Sequence, residues 1–500
     1  MLKKKQNIYS KIIFLFFYGT GIIACEGHLQ DHNRYNILFI AIDDLNTELG
    51  VYDKEYVNTP NIDEFASQGV TFKKHYVQAV SCGPSRYALL TGRSPSNSGV
   101  SANNQALYEG ESAMVHQLLD GAQSMPELFE RSGYHTVNIG KISHTPDGKA
   151  YNYDGTGDGH PELPNAWDEF ATPYGQWERG WGTFFAYANG KHREDGRDNE
   201  DLMEFVVERD DDLPDGMMAS TAIEKLKELK NRDEPFFLGL GFFKPHLPFV
   251  APRKDWEAVQ HWDIPPANNP DRIDTPYWNN SGEFYRYEMH FPKTRPLGPE
   301  DRMKVRRAYM ASVRYVDRQV GRVLDALEQE GMADETIVVV WSDHGWYLGE
   351  FEMWGKHTLF ERASHSPLII RAPDIKEPGR KSNALVQAID LYPTLVELTN
   401  PAFQKTHHPL DGISLVPVLN NETDFIRDGS LTFWRNAVSV RSQDYRLIST
   451  WSNEDQSWTD TELYNMSMAP DPATDISDEN TEIVEEMEKM LKIHHNNSGK

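Results

Sequence analysis

Cysteine is scarce: Cys25 and Cys82 are the only two in 500 residues. That excludes a disulfide-stapled fold and a zinc site built from clustered cysteines. Each cysteine sits in a motif of its own, so no structural disulfide is expected. Positive charge is also in deficit, with 50 Lys and Arg against 76 Asp and Glu for a net −26. A chain so acidic lacks the basic face that nucleic acid requires, and it does not draw polyanions from a distance. Any anionic substrate has to be captured locally, by a few basic side chains and a metal in a cleft. There is no repeat of fixed period and no long low-complexity tract.

What is present is the composition of a large globular protein, 39% hydrophobic and 11% aromatic, long enough for two or more domains. The 12 Trp and 22 Tyr suit carbohydrate stacking and cores equally. Lys3, Lys4, Lys5 and Lys11 precede an apolar run from Ile12 to Tyr18 that is too short to span a bilayer and has the shape of a secretory segment. Ile22-Ile23-Ala24-Cys25 resembles a bacterial lipobox, which implies lipidation of Cys25 as the first mature residue. The alternative is an ordinary cleavable signal. Removing residues 1–24 takes four lysines and no acid, leaving −30. The expected address is the cell envelope, with the chain held at a membrane by its lipid.

The continuous apolar run Asn36 to Ile42 predicts a strand buried on both faces of a parallel sheet, ending in Asp43-Asp44. Thr336 to Trp341 repeats the pattern and ends in Ser342-Asp343-His344. Ligands gather at the carboxyl ends of such strands, so both ends are candidate cation sites. Pro60 opens a helix that Gly69 closes; Val70 to Val77 then reads as extended, and Ser124 with Glu127 has capping-box spacing. Tyr134 to Ile139 returns as a strand and delivers Lys141 and His144. Residues 145–216 read as a long irregular excursion, followed by a helix from Thr221 to Leu229, the strand Phe236 to Phe243, and Lys244-Pro245-His246. A second irregular stretch spans 251–299. Tyr309, Val313, Val316, Val320, Val323 and Leu327 mark the buried face of a long helix starting near Glu300. Pro367 to Ile370 and a helix over Asp390 to Leu398 extend the pattern.

The fold class expected is α/β: a large mixed, mostly parallel sheet between helices. A smaller C-terminal antiparallel sheet would be formed by Ser430 to Trp434, Ala437 to Arg441 and Tyr445 to Thr450, with a helix over Glu482 to His494. The expected division is signal 1–24, linker 25–34, catalytic domain 35–420 and C-terminal subdomain 421–500.

Ser81-Cys82-Gly83-Pro84-Ser85-Arg86 organises the rest. Pro84 and the apolar Ala88 to Leu90 place Cys82 at a helix mouth, where unpaired N–H groups and the dipole favour anions. Arg86 is expected to converge on the same sulfur. The full pattern, Cys82, Pro84, Ser85, Arg86, Leu90, Thr91, Gly92 and Arg93, resembles the signature of type I sulfatases. In that family the cysteine becomes formylglycine (3-oxoalanine), whose hydrate is the nucleophile. Lys141-Ile142-Ser143-His144, Lys244-Pro245-His246-Leu247-Pro248, Asp343-His344-Gly345 and Ala363-Ser364-His365-Ser366-Pro367 resemble the iduronate-2-sulfatase-like branch of the alkaline phosphatase superfamily. Asp-His in place of the Asp-Asn of many sulfatases belongs to that likeness.

The resemblance implies one Ca²⁺ held by Asp43, Asp44, Cys82, Asp343 and His344. Carboxylates suit Ca²⁺ or Mg²⁺, whereas imidazole is an unusual ligand for either. It implies Arg86, Lys141 and Lys356 on the sulfate oxygens, His246 as proton donor to the leaving oxygen, and His144 as base. It also implies two partners, a sulfated polysaccharide (algal, such as ulvan or carrageenan, or a glycosaminoglycan) and a formylglycine-generating or anaerobic sulfatase-maturating enzyme. A phosphomonoesterase or phosphonate hydrolase, and a non-catalytic glycan-binding lipoprotein, are the competing classes. The motifs read the sulfate, so the two irregular stretches must read the sugar.

Overall fold

The computed structural model describes residues 35–101, 107, 113–194, 201–467 and 471–497. The lipobox and Cys25 lie outside them. Among the described residues no helix is long and apolar enough to cross a membrane.

The main sheet is built from β1 (Asn36–Ile42), β2 (Val70–Tyr76), β3 (His135–Gly140), β4 (Glu169–Phe170), β5 (Phe236–Phe242), β6 (Thr336–Ser342), β7 (Leu368–Arg371) and β8 (Arg380–Gln387). Their spatial order is β8-β2-β7-β6-β1-β5-β3-β4. Every pairing is parallel except those of β7, which runs antiparallel to both β6 and β2. The helices that position the site are α1 (Pro60–Ser67), α2 (Cys82–Thr91), α3 (Met125–Arg131), α4 (Pro214–Leu229), α5 (Pro299–Gln329) and α6 (Leu391–Thr399).

Strand pleating explains why β1 is apolar throughout. Leu38, Ile40 and Ile42 enter one core, with Val316, Val320 and Leu327 of α5. Ile37, Phe39 and Ala41 enter the other, with Leu89 of α2, Leu128 of α3 and Leu395 of α6. All six positions foreseen as the buried face of α5 are buried. The Ser124 side chain accepts from the Glu127 N–H at the start of α3, as its spacing requires.

A second sheet has the order β9 (Ser430–Trp434), β10 (Ala437–Arg441), β11 (Tyr445–Ser452) and β12 (Ser457–Asn465), all antiparallel, and is followed by α7 (Thr481–Asn497). One apolar cluster joins this sheet, through Ala437, Ile448 and Tyr464, to Tyr347, Met353 and Phe360 of the segment between β6 and β7.

The structure departs from the sequence expectation in three places. The helix expected from Thr221 begins at Pro214, because Pro214 supplies a preset φ and Asp215 an acid for the first turn. The stretch from 145 onward is irregular but not peripheral, since Trp177, Trp181, Phe184, Phe185 and Tyr187 are all buried. Strands β8 and β12 escape sequence reading: β8 lies at the sheet edge with alternating exposure along Arg380–Asn383, and the first half of β12 is half-exposed or exposed.

Candidate active site

Because β1, β3, β5 and β6 are parallel neighbours, their carboxyl ends face one way, and the segments leaving them meet. Asp43 and Asp44 follow β1, Lys141 and His144 follow β3, Lys244 and His246 follow β5, and Asp343 and His344 follow β6. Two glycines permit the crowding. Gly140 has φ +73° and pairs with Gly241, and a Cβ on Gly140 would lie 2.1 Å from the Gly241 oxygen. A Cβ on Gly241 would in turn meet the Lys141 oxygen at 2.1 Å. Only a bare backbone lets Lys141 turn in over the strand ends.

Cys82 is the first residue of α2 and is buried. Its thiol donates to Asp43 Oδ1 at 3.5 Å, lies 3.3 Å from His344 Nε2, and accepts from Lys356 Nζ at 3.1 Å. Lys356 Nζ also donates to Asp44 Oδ1 at 2.7 Å. The expectation that Arg86 converges on the sulfur is corrected. Arg86 Nε donates to Asp343 Oδ2 at 2.8 Å and its NH2 is 3.5 Å from Asp43 Oδ2, while NH1 donates to the Lys141 carbonyl. Arg86 therefore ties two carboxylates and the β3 terminus together, and Lys356 is the cation on the sulfur. Lys141 pairs with Asp43 and lies 4.2 Å over the Phe184 ring.

Ligand atoms of Asp43, Cys82, Asp343 and His344 all lie within 4.8 Å of one another, as do those of Asp43, Asp44, Cys82 and His246. The backbone of Asp44 is left-handed, φ 63°, and its N–H donates to Asp343 Oδ1 at 3.2 Å. Nδ1 of His344 faces the Gly345 carbonyl at 3.1 Å, which makes it the protonated nitrogen. The lone pair of Nε2 is thereby aimed at the carboxylates. This donor set fits a hard divalent cation, and Asp44 Oδ2 accepts no hydrogen bond. Three buried acids here face three buried bases, Arg86, Lys141 and Lys356. A divalent ion added to this set would leave the floor cationic toward an anionic ester.

The electrostatics follow from burial and pairing. Burial would raise Asp43, but Lys141 and Arg86 outweigh it and hold the carboxyl well below the usual range. For Asp44 burial prevails over Lys356 and His344. Burial and the Asp43 carboxylate push the Cys82 thiol up to about 11, against Lys141 and Lys356. As a thiol it is a poor nucleophile. Burial and then Lys141 bring His144 down to about 3, so its ring is neutral. His246 is held well below the ordinary range by burial and Lys356. Its Nδ1 faces the Leu247 carbonyl at 2.7 Å, and its Nε2 stands 3.8 Å from Asp44 Oδ2 and 3.8 Å from Glu283 Oε2.

Every site residue named from the sequence, apart from Cys25, is thus buried in one cluster. Sequence reading missed Glu283 and the aromatic wall of Trp181, Phe184 and Phe185, since neither irregular stretch carries a periodicity that marks inward positions. Lys244 was visible only as part of a motif. It donates to the His246 and Pro248 carbonyls at 2.9 and 2.7 Å and shapes the turn that presents His246.

Comparison with known proteins gives the family. The family profile described as Sulfatase matches residues 35–401, and that described as N-sulphoglucosamine sulphohydrolase, C-terminal, matches 349–497. A sulfatase of Formosa agariphila is 33% identical over 458 residues, 88% of this chain and 84% of that protein. Human iduronate 2-sulfatase is 31% identical over 402 residues, 73% of this chain and 68% of that protein. A solved complex with the substrate D-glucosamine-2-N,6-O-disulfate superposes with a TM-score of 0.69 at 23% identity, covering 93% of this chain and 98% of the other. That last likeness is one of fold.

Proposed function

From the premise that the chain belongs to the sulfatase family and is a sulfuric ester hydrolase, we propose that its substrate is a sulfated carbohydrate and that Cys82 serves as formylglycine. The observation that carries this is the convergence of Asp43, Asp44, Asp343 and His344 on the Cys82 sulfur at the end of parallel strands. Raised to about 11 by burial, the unmodified thiol would stay protonated and unreactive. The hydrate of formylglycine would supply the attacking hydroxyl. Ca²⁺ would be held by Asp43, Asp44, Asp343, His344 and residue 82, and when bound it would supply positive charge against the sulfate oxygens.

The chain's own residues divide the remaining work. Lys141 and Lys356 flank residue 82 and neutralise the sulfate, while Arg86 fixes Asp43 and Asp343 from beneath. His246 is neutral with Nδ1 on the Leu247 carbonyl, so its Nε2 must first take a proton from the charged Lys356 nearby before passing one to the leaving oxygen, and the neutral His144 can take up another. Carbohydrate is supported by the relatives, one named for iduronate and one bound to a glucosamine disulfate. Within carbohydrates we favour an algal polysaccharide such as ulvan or carrageenan, met by a lipoprotein anchored through Cys25. The 31% identity to iduronate 2-sulfatase favours a glycosaminoglycan as second reading.

Cys82→Ala is expected to abolish sulfate release from an aryl sulfate while leaving the circular dichroism spectrum unchanged. Peptide mass spectrometry of the 82 segment is expected to show an aldehyde in protein made with a maturase. Full activity in Cys82→Ala, or faster release of phosphate than of sulfate from matched aryl esters, would overturn the reading.

A further inference from the structure

Beside the buried floor one aromatic ring keeps half its surface in solvent. Tyr153 is 49% exposed. It stands 4.5 Å from the buried Trp181 and 6.0 Å from Phe185, centroid to centroid. These two rings back directly onto the site: Trp181 lies 6.0 Å from His144, and Phe185 lies 6.0 Å from His246. Burial and the Glu283 carboxylate raise the Tyr153 hydroxyl, while Arg193 and Lys141 pull it down, so the ring lies within electrostatic reach of the mouth and the floor together. An aromatic ring half in water beside buried polar groups is a surface on which a pyranose ring can stack.

The charge of the mouth is set opposite. Arg193 is stacked 3.3 Å over the Phe185 ring, with NH1 3.0 Å from Glu283 Oε1 and NH2 2.8 Å from Glu194. One guanidinium is thus held by two carboxylates. The other oxygen of Glu283 lies 3.8 Å from His246 Nε2, next to where a leaving oxygen would receive its proton.

We infer that Tyr153 and Glu283 form the subsite for the sugar that carries the sulfate: Tyr153 stacks on the ring, and Glu283 accepts a hydrogen bond from the hydroxyl neighbouring the ester. This rests on the sulfatase reading and narrows it. The sugar taken here is a neutral hexose or deoxyhexose. A uronate would bring its carboxylate against Glu283, which already stands 3.8 Å from His246 Nε2.

The test measures kcat/KM for sulfate release from a neutral sugar sulfate, a uronate 2-sulfate and an aryl sulfate. Wild type is expected to favour the neutral sugar over the uronate. Tyr153→Ala is expected to lower kcat/KM on the neutral sugar by ~10-fold more than on the aryl ester, and Tyr153→Phe to restore it. Glu283→Gln is expected to narrow the gap between neutral sugar and uronate. Equal losses on sugar and aryl ester in Tyr153→Ala, or a wild-type preference for the uronate, would overturn the subsite with the sulfatase reading intact. Absence of sulfate release from all three esters by the wild-type enzyme would overturn both.

Discussion

At the residue scale, the division between floor and mouth decides what each substitution does. His246 matters in proportion to how badly the leaving group needs a proton. His246→Ala is therefore expected to cost ~10²–10⁴-fold on a sugar sulfate and far less on an activated aryl sulfate, read as the ratio of kcat values. The acidic ligand set makes a second prediction. Treatment with a chelator is expected to abolish sulfate release and lower the melting temperature, and Ca²⁺ to restore both, since a cation bound only by the folded state stabilises it by mass action. Strand ends mark Asp43, Asp44, Asp343 and His344 in the sequence and a helix start marks Cys82, whereas Lys356 is marked only by the resemblance to sulfatase motifs. Arg86 was legible in position but not in partner: spacing could bring its guanidinium near Cys82, and only packing shows that Asp343 takes it.

At the element scale, the segments around the site are held by buried ion pairs more than by regular structure. Glu350 follows β6, and its Oε1 is 2.9 Å from Arg306 of α5 and 3.7 Å from Arg362. Burial pushes Glu350 up, but Arg362 and Arg306 outweigh it and bring its carboxyl from 4.5 to about 2. A carboxyl depressed on folding contributes stability that is full above about pH 4.5 and is lost as pH falls toward about 2. Glu350→Gln is expected to destabilise by ~3 kcal/mol at neutral pH, because Arg306 loses its buried carboxylate while Arg362 keeps Glu48 and Asp471. Urea titrations should show the difference from wild type shrinking as pH drops through that window. The strands facing two helical layers were legible as continuous apolar runs. Strands β8 and β12 were not, because their partly exposed residues tolerate polar side chains and leave no hydrophobic signal.

At the scale of the whole molecule, the second sheet is a buttress for the site. Ile448 of β11 is fully buried in the cluster that holds Tyr347, Met353 and Phe360, three residues of the segment that carries Lys356. Ile448→Ala is expected to cost ~2–5 kcal/mol by denaturant melting. It is also expected to reduce kcat although it lies in a different sheet from the reacting groups. Retained kcat with the stability loss would show that the segment is held without the sheet. The reversed direction of β7 has a further effect. Because β7 returns alongside β6, with Leu368 opposite Trp341, the chain from Asp343 to Pro367 leaves and re-enters the sheet at adjacent points. The span bearing Lys356 is therefore a closed arch with both feet on neighbouring strands, and a change in its length need not disturb strand order.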